Sequence, residues 1–274
     1  MTLRIAAFDS GVGGLTAVAP LLKRHPSIEV TYLGDLANLP YGTKSPERIR
    51  ELTDRNISWL LNHSPEAGFG FDLLVIACNT ASAQALAIAQ RIAQQKNIPC
   101  VGVIEPGCKA ALRSSERILV LATSSTVQSQ SYTQQLKNLG AKVPVVQLAC
   151  PLFVPLVEQG LQDSPAATWI VHHYLDSVIK KGDAVILGCT HYPFLVNTLS
   201  KEFPNTEWID AGGALINDPT VLRVLGAATP NHQAQGSLKV YLTDKTTSLE
   251  RLQGFTKGLG LDGIKLQLDY LPAL

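Results

Sequence analysis

The stretches Asp72-Leu-Leu-Val-Ile-Ala-Cys78 and Asp183-Ala-Val-Ile-Leu-Gly-Cys189 decide the fold of this chain, because they repeat one unit. In each stretch an aspartate begins a short apolar run, and a cysteine follows the run directly. A short apolar run of this kind is typical of a strand that is buried on both faces of a parallel sheet. Small polar residues that could open a helix follow each cysteine. The repeat therefore predicts two similar lobes, each with a thiol at the carboxyl end of a strand.

Similar apolar runs alternate with helical stretches along the chain, which is the pattern of β-α units that feed a parallel sheet. Two of the predicted helices are 81–95, rich in Ala, Gln and Leu, and 164–180, which opens on Ser-Pro. The predicted strands are 4–8, 29–33, 73–77, 100–104, 118–121, 145–148, 184–187, 206–209 and 238–242. The predicted fold class is α/β, with two similar lobes, each a mainly parallel sheet flanked by helices, and the active site in the cleft between them.

The position of the two cysteine units along the chain suggests where the lobes divide. We expect a first lobe of residues 1–97 plus 211–274, and a second lobe of residues 98–210. The chain after the second boundary is expected to pack back on the first lobe.

Composition limits the class of protein. The chain has 274 residues, a hydrophobic share of 46% and a formal net charge of +1. These values predict a sizeable core and give no reason to expect nucleic acid or a membrane as partner. No secretory signal or membrane-spanning run is seen, so the expected location is the cytoplasm. The five cysteines are odd in number and form no C-x-x-C pair, which predicts reduced thiols and no metal site.

The glycine segment after the first predicted strand only partly matches a nucleotide-binding motif. Gly11-Val12-Gly13-Gly14-Leu15-Thr16 lacks the final glycine or alanine of a dinucleotide fingerprint, and no phosphate-binding G-x-x-x-x-G-K-[ST] loop occurs. Backbone N–H groups at the start of a helix could instead hold a carboxylate. The sequence therefore predicts no nucleotide cofactor.

The carboxyl ends of parallel strands line the ligand crevice, so the residues there are the candidate site residues. Cys78 and Cys189 precede polar helix starts, which favour the thiolate, a form that can act as a base. His191 could be a core imidazole or a metal ligand, but we favour a proton partner of Cys189. Asp9 could cap a helix or accept a proton from a thiol. The other three cysteines, Cys100, Cys108 and Cys150, are interpreted as buried structural residues.

Two thiols facing one cleft would suit a reaction that needs a proton donor and a proton acceptor on opposite faces of one carbon. Racemisation is a reaction with that requirement. Glu158 resembles a surface helix charge, and nothing in its local sequence singles it out.

Several motifs in order resemble the aspartate/glutamate racemase family, and within it the glutamate racemases. The resemblance spans nearly the whole chain. It rests on Asp9-Ser-Gly-Val-Gly-Gly-Leu15, Pro40-Tyr-Gly42, Ala77-Cys-Asn-Thr-Ala81, Phe153-Val-Pro-Leu-Val-Glu158 and Gly188-Cys-Thr-His-Tyr-Pro193.

The resemblance implies interconversion of L-glutamate and D-glutamate without pyridoxal phosphate or metal, with D-glutamate serving peptidoglycan synthesis. It implies that Cys78 takes the α-proton from D-glutamate with help from Asp9. It implies that Cys189 takes it from L-glutamate with help from His191 and Glu158. Substrate would be held by Asp9, Ser10, Tyr41, Gly42, Asn79, Thr80, Thr123, Thr190 and His191. Relatives often form homodimers, which is the assembly expected here.

Three rival functions fit the pattern less well than a glutamate racemase. Aspartate racemases use the same two thiols but usually carry Glu at the position of His191. A cysteine hydrolase could use Cys189 with His191, but it would leave Cys78 without a role. A two-lobe amino-acid receptor would need no opposed thiols.

Overall fold

The computed structural model describes residues 2–63, 70–113, 116–227 and 236–271. Within those ranges it contains ten strands. They are β1 (Arg4–Asp9), β2 (Glu29–Gly34), β3 (Leu73–Ile76), β4 (Cys100–Gly102), β5 (Arg117–Ala122), β6 (Val145–Ala149), β7 (Asp183–Gly188), β8 (Glu207–Asp210), β9 (Ser237–Leu242) and β10 (Lys265–Tyr270).

The strands form two sheets, and every described pairing is parallel. The first sheet has the order β10-β9-β2-β1-β3-β4, and the second has the order β6-β5-β7-β8. The second sheet thus repeats the order β2-β1-β3-β4 of the first. Because Cys78 follows β3 and Cys189 follows β7, the two cysteines come after equivalent strands of the two sheets. The predicted class, α/β with two similar lobes, is confirmed.

Helices cover both faces of each sheet. They are α1 (Leu15–Arg24), α2 (Pro46–Asn62), α3 (Asn79–Gln94), α4 (Ile104–Ala111), α5 (Ser124–Gln128), α6 (Ser131–Asn138), α7 (Phe153–Glu158), α8 (Pro165–Leu175), α9 (Val196–Glu202), α10 (Pro219–Gly226) and α11 (Leu249–Gly258). Short 3₁₀ segments lie at Leu36–Asn38, Tyr41–Thr43, Tyr192–Leu195 and Gly213–Asn217. None of the helices in the described ranges is both long and apolar enough to cross a membrane.

Alternate residues of a central strand enter separate cores, as the two-fold repeat of a strand requires. In β1, Ile5 and Ala7 pack with α1 on one face, whereas Ala6 and Phe8 pack with α2 and α3 on the other. Every one of these four side chains has no exposed surface. Burial on both faces explains why β1 reads as a continuous apolar run in the sequence.

The first sheet extends beyond the predicted boundary at residue 97. β4 pairs with β3, and Val103 packs in the core of the first sheet. Ile104 begins α4 and packs in the core of the second sheet, so the predicted strand 100–104 is two residues too long at its carboxyl end. We therefore propose that the lobes divide between Val103 and Ile104. After the second lobe the chain returns, and β9 pairs with β2.

One strand of the first sheet was absent from the sequence prediction. β10 carries Lys265-Leu-Gln-Leu-Asp-Tyr270, in which exposed and partly buried residues alternate. It lies at the edge of the sheet, where one face is open to solvent. Its sequence therefore lacks the apolar run that identified the other strands. The predicted helix 164–180 also ends early, at Leu175.

Candidate functional site

The carboxyl ends of the strands from both lobes surround one small cavity of about 20 Å³. A space of this size holds about one water molecule. Its lining residues are Ser10, Leu39, Pro40, Tyr41, Gly42, Cys78, Asn79, Thr80, Thr123, Val154, Cys189, Thr190 and His191. Both cysteines of the repeated unit therefore meet at one cavity, each contributed by a different lobe. Asp9 and Glu158 do not line it, but each lies behind a lining residue.

Cys78 caps α3, and its sulfur accepts a hydrogen bond from the Ala81 N–H at 3.4 Å. Its thiol donates to the Ser10 hydroxyl at 3.6 Å. Burial raises the pKa of Cys78 to about 12, helped by the nearby Asp9 carboxyl and opposed by these two hydrogen bonds. The helix start favours the thiolate through the Ala81 N–H, as expected, but loss of hydration outweighs it, so the thiol is the favoured form. At neutral pH Cys78 carries a proton and can donate it.

Asp9 lies behind Cys78 at the end of β1. Its Oδ2 atom accepts the N–H groups of Gly11 and Gly14, each at 3.1 Å, and Thr190 approaches Oδ1 at 3.5 Å. Burial raises the pKa of Asp9, while the charge of His191 and the backbone N–H groups oppose that rise. A side chain at Gly14 would lie 2.6 Å from the Asp9 Cβ, so only glycine fits there. Asp9 therefore holds the glycine turn and also stands near the thiol.

Cys189 lies in a different setting, because a turn and the segment Tyr192–Leu195 separate it from α9. The helix start predicted directly after Cys189 is therefore wrong. His191 supplies the polar partner instead, with its Nδ1 atom 3.9 Å from the Cys189 sulfur. The Nε2 atom of His191 forms a hydrogen bond with Glu158, the last residue of α7. Cys189, His191 and Glu158 thus form a chain of three groups.

This chain of groups determines the charge of His191. Burial lowers the pKa of His191, but hydrogen bonds to Cys189 and Glu158 and their negative charges outweigh it and raise the pKa to about 10. The hydrogen bond to His191 in turn lowers the pKa of Glu158. His191 is therefore protonated at neutral pH, between two acidic partners.

A pH-dependent contribution to stability follows from the raised pKa of His191. The folded pKa lies above the value of about 6.5 expected for unfolded histidine. The stabilisation from the charged His191 is therefore complete below about pH 6.5 and is lost as the pH rises towards about 10. We expect the free energy of unfolding of wild type to exceed that of His191→Gln most near pH 6, with the difference shrinking towards pH 10. Urea unfolding at several pH values measures it, and a constant difference would refute the charged pair.

Other predicted residues bring polar groups to the cavity. Asn79 is buried, and its Oδ1 atom accepts the Tyr132 hydroxyl at 2.6 Å, whereas its Nδ2 atom has no partner among the described residues. Thr80 and Thr123 place their hydroxyls 3.0 Å apart across the two lobes. A side chain at Gly42 would lie 2.5 Å from the Thr123 Cβ, so glycine permits close contact between the lobes.

The resemblance implies that Tyr41 holds substrate, but its hydroxyl is bonded elsewhere. It donates to Asp35 at 2.7 Å, so Tyr41 lines the cavity with other atoms. Nothing in the sequence assigns Asp35 to the site, yet this fully buried carboxylate also accepts from Asn56 at 2.9 Å, Asn38 at 3.0 Å and Thr243 at 2.7 Å. These donors come from α2, from the 3₁₀ segment Leu36–Asn38 and from the residue after β9. The position of Asp35 at a strand end was the only available signal.

A second, larger cavity of about 460 Å³ lies on the other side of His191. Glu158 faces it, together with residues of the segment after β9 and of α11 such as Thr247 and Arg251. His191 therefore separates the small cavity from the large one. No cluster of metal-binding side chains occurs within the described ranges of the chain.

The chain is similar in sequence to known racemases. The family model described as Asp/Glu/Hydantoin racemase matches residues 15–218. The glutamate racemase of Aquifex aeolicus is 40% identical over 252 residues, which cover 91% of this chain and 92% of that protein.

Solved structures resemble the whole chain. The crystal structure of a glutamate racemase from Bacillus anthracis has a TM-score of 0.83 at 30% identity and covers 98% of this chain and 97% of its own. The glutamate racemase of Francisella tularensis in complex with D-glutamate has a TM-score of 0.82 at 28% identity, with coverage of 99% and 98%.

Proposed function

The chain belongs to the Asp/Glu/Hydantoin racemase family, and we propose that it interconverts L-glutamate and D-glutamate without pyridoxal phosphate. The observation that carries the proposal is the meeting of Cys78 and Cys189 at the small cavity, each from its own lobe. Each thiol has a separate acid-base partner behind it, Asp9 for one and His191 with Glu158 for the other. Such a pair can remove a proton from one face of a carbon and return a proton to the opposite face.

The positive charge of His191 and the proton on Cys78 suit reaction from L-glutamate. Protonated His191 attracts negative charge on the Cys189 sulfur, which removes the α-proton and leaves a carbanion. Cys78, whose thiol is neutral, then gives its proton to the opposite face and forms D-glutamate. Cys189 ends as the thiol and Cys78 as the thiolate, so the reverse reaction begins with Cys78 as base.

The carbanion must be stabilised by the protein, since the proposed reaction uses no cofactor to spread its charge. The Nδ2 atom of Asn79 has no partner among the described residues, and the hydroxyls of Thr80 and Thr123 can donate to a ligand once they turn away from each other. In a cavity with little water, donors held by the protein stabilise developing charge more strongly than water would. We propose that these groups, with Ser10, Gly42 and Thr190, hold the substrate carboxylates and amino group.

Circular dichroism tests the proposed substrate. Purified protein is incubated without pyridoxal phosphate, first with L-glutamate and then with L-aspartate. We expect the signal of glutamate to decay to zero while that of aspartate persists. Decay for aspartate alone would overturn the choice of substrate and keep the racemase; no decay for either would overturn the proposed function.

Asp35 offers a prediction about the loop that carries Tyr41 and Gly42. Asp35→Asn replaces one acceptor oxygen with an amide that donates, although four side-chain donors converge on the carboxylate. Unpaired buried donors cost about 1–3 kcal/mol each, so the loop should shift. We expect kcat/KM for glutamate to fall about tenfold, the change that about 1.4 kcal/mol produces.

Asp183→Asn is the matched control for Asp35→Asn. Asp183 is also a buried carboxylate, but it begins β7 at the edge away from the cavity and accepts from Arg117 and the Lys180 N–H. Its replacement should lower the thermal midpoint and leave kcat/KM within about twofold, because its donors do not line the site. Equal activity losses in both variants would show that Asp35 acts only through overall stability.

We also propose that the D-glutamate serves peptidoglycan synthesis, that the protein acts in the cytoplasm and that it forms a homodimer. These proposals rest on the family resemblance. Growth of a deletion strain only on added D-glutamate would support the first. Fractionation of cells tests the second, and light scattering of the purified protein tests the third, with a monomeric mass as the contrary result.

A further inference from the structure

Three threonine hydroxyls form a closed ring where the two lobes meet. Thr80 is the second residue of α3 in the first lobe, whereas Thr123 precedes α5 and Thr126 lies within it in the second. The Oγ1 atoms are 3.0 Å apart for Thr80 and Thr123, 3.2 Å for Thr80 and Thr126, and 3.0 Å for Thr123 and Thr126. Thr80 and Thr123 line the small cavity, but Thr126 is fully buried and does not.

The closed ring uses the hydrogen of each of its three hydroxyls. Each hydroxyl has one hydrogen and two lone pairs, so three mutual contacts use all three hydrogens. The Thr123 oxygen also accepts the Thr126 N–H at 3.4 Å. No hydroxyl hydrogen is left for a ligand while the ring is closed. A carboxylate can only accept, so Thr80 and Thr123 can bind it only by turning their hydrogens out of the ring.

The hydroxyl of Thr126 behaves differently when the ring opens. It faces no cavity, so its hydrogen can go only to Thr80 or Thr123. A donor behind a hydroxyl satisfies its oxygen and polarises its O–H bond towards the next acceptor. Thr126 can therefore support the two hydroxyls at the moment when they turn towards a carboxylate.

We propose that Thr126 is a positioning residue, whose hydroxyl donates to the Thr80–Thr123 pair so that both cavity hydroxyls donate to a carboxylate of the substrate. The inference rests on the proposed function, because it takes glutamate as the carboxylate that opens the ring. It also links binding to the lobe interface, since the ring joins α3 to α5.

Two substitutions separate the hydroxyl from the shape of Thr126. Thr126→Val keeps the branched shape and removes the hydroxyl, whereas Thr126→Ser keeps the hydroxyl and removes a methyl group. We expect Thr126→Val to raise KM for L-glutamate about fivefold with a smaller change in kcat, since one hydrogen bond supports carboxylate binding throughout the reaction. Thr126→Ser should keep KM within about twofold of wild type while lowering the thermal midpoint, because it leaves a small cavity.

Thr198 supplies the control. Its side chain is also buried and its hydroxyl donates to the Gln162 carbonyl at 2.7 Å, away from the small cavity. Thr198→Val should lower the thermal midpoint and leave KM unchanged. If Thr126→Val fails to fold, Thr126→Ala against Thr126→Ser makes the same comparison.

The outcomes are distinct. A KM raised equally by Thr126→Ser and Thr126→Val would assign the effect to packing and overturn the inference. A KM unchanged in both would overturn it as well. If wild type does not racemise glutamate, the proposed function fails and the inference falls with it, whereas active wild type without the expected pattern refutes the inference alone.

Discussion

Replacing either thiol by alanine is expected to lower kcat/KM for glutamate racemisation about 10²–10⁴-fold, the usual contribution of one acid-base group. Cys78→Ala removes the neutral thiol that gives a proton to one face of the α-carbon. Cys189→Ala removes the group beside protonated His191 on the other face. Because the two enantiomers have equal free energy, kcat/KM must fall equally in both directions. Polarimetry started from each enantiomer measures the loss.

Cys108→Ala is the matched control for the thiol variants. Cys108 is fully buried in the core beside the second sheet and does not line the cavity. Its replacement should lower stability and leave racemisation unchanged. Activity that survives Cys78→Ala would contradict the two-thiol account and favour a nucleophilic role for Cys189 alone.

Replacing His191 by glutamine is expected to lower kcat/KM about 10²-fold, at the lower end of the same range. Glutamine keeps a polar side chain but cannot carry the positive charge that stands between Cys189 and Glu158. Without that charge, negative charge on the Cys189 sulfur is stabilised less, and Glu158 loses its charged partner. The pH profile should also change, because the group with a pKa of about 10 is gone.

His172→Gln is the control for the histidine variant. His172 also bridges two carboxylates, with its Nδ1 atom 2.7 Å from Asp176 and its Nε2 atom 3.1 Å from Glu202, but it lies on α8 away from the cavity. The His172→Gln variant should keep kcat/KM within about twofold of wild type. Equal effects of the two variants would mean that His191 has no special part in catalysis.

Much of the fold could be read from the sequence because the central strands β1, β3, β5 and β7 are apolar runs buried between layers of helices. β10 was not predicted because it lies at the edge of the sheet, where a strand needs only one apolar face. The start of α4 at Ile104 was not predicted because Val103 and Ile104 are both apolar and differ only in which sheet they pack against. Such a difference is decided by tertiary contacts.

The members of the site were predictable because chemistry-bearing residues follow strand ends, and parallel strands bring those ends together. The pKa values of these residues and their distant contacts were not predictable. The helix start at Cys78 suggested a thiolate, whereas burial, which depends on both lobes, raises its pKa to about 12. Glu158 meets His191 across a long stretch of chain, and Asp35 gathers donors from three elements. No local pattern encodes those contacts.

The most direct test of the central claim, that thiols from two lobes act on opposite faces of the α-carbon, is the origin of the α-hydrogen in the product. Protein equilibrated in deuterated water is given L-glutamate with protium at the α-carbon, and both enantiomers are separated early and analysed by mass spectrometry. We predict that D-glutamate carries deuterium from Cys78 while the remaining L-glutamate keeps protium. D-glutamate that retains the protium of its substrate would show that one base serves both faces, and would contradict the account.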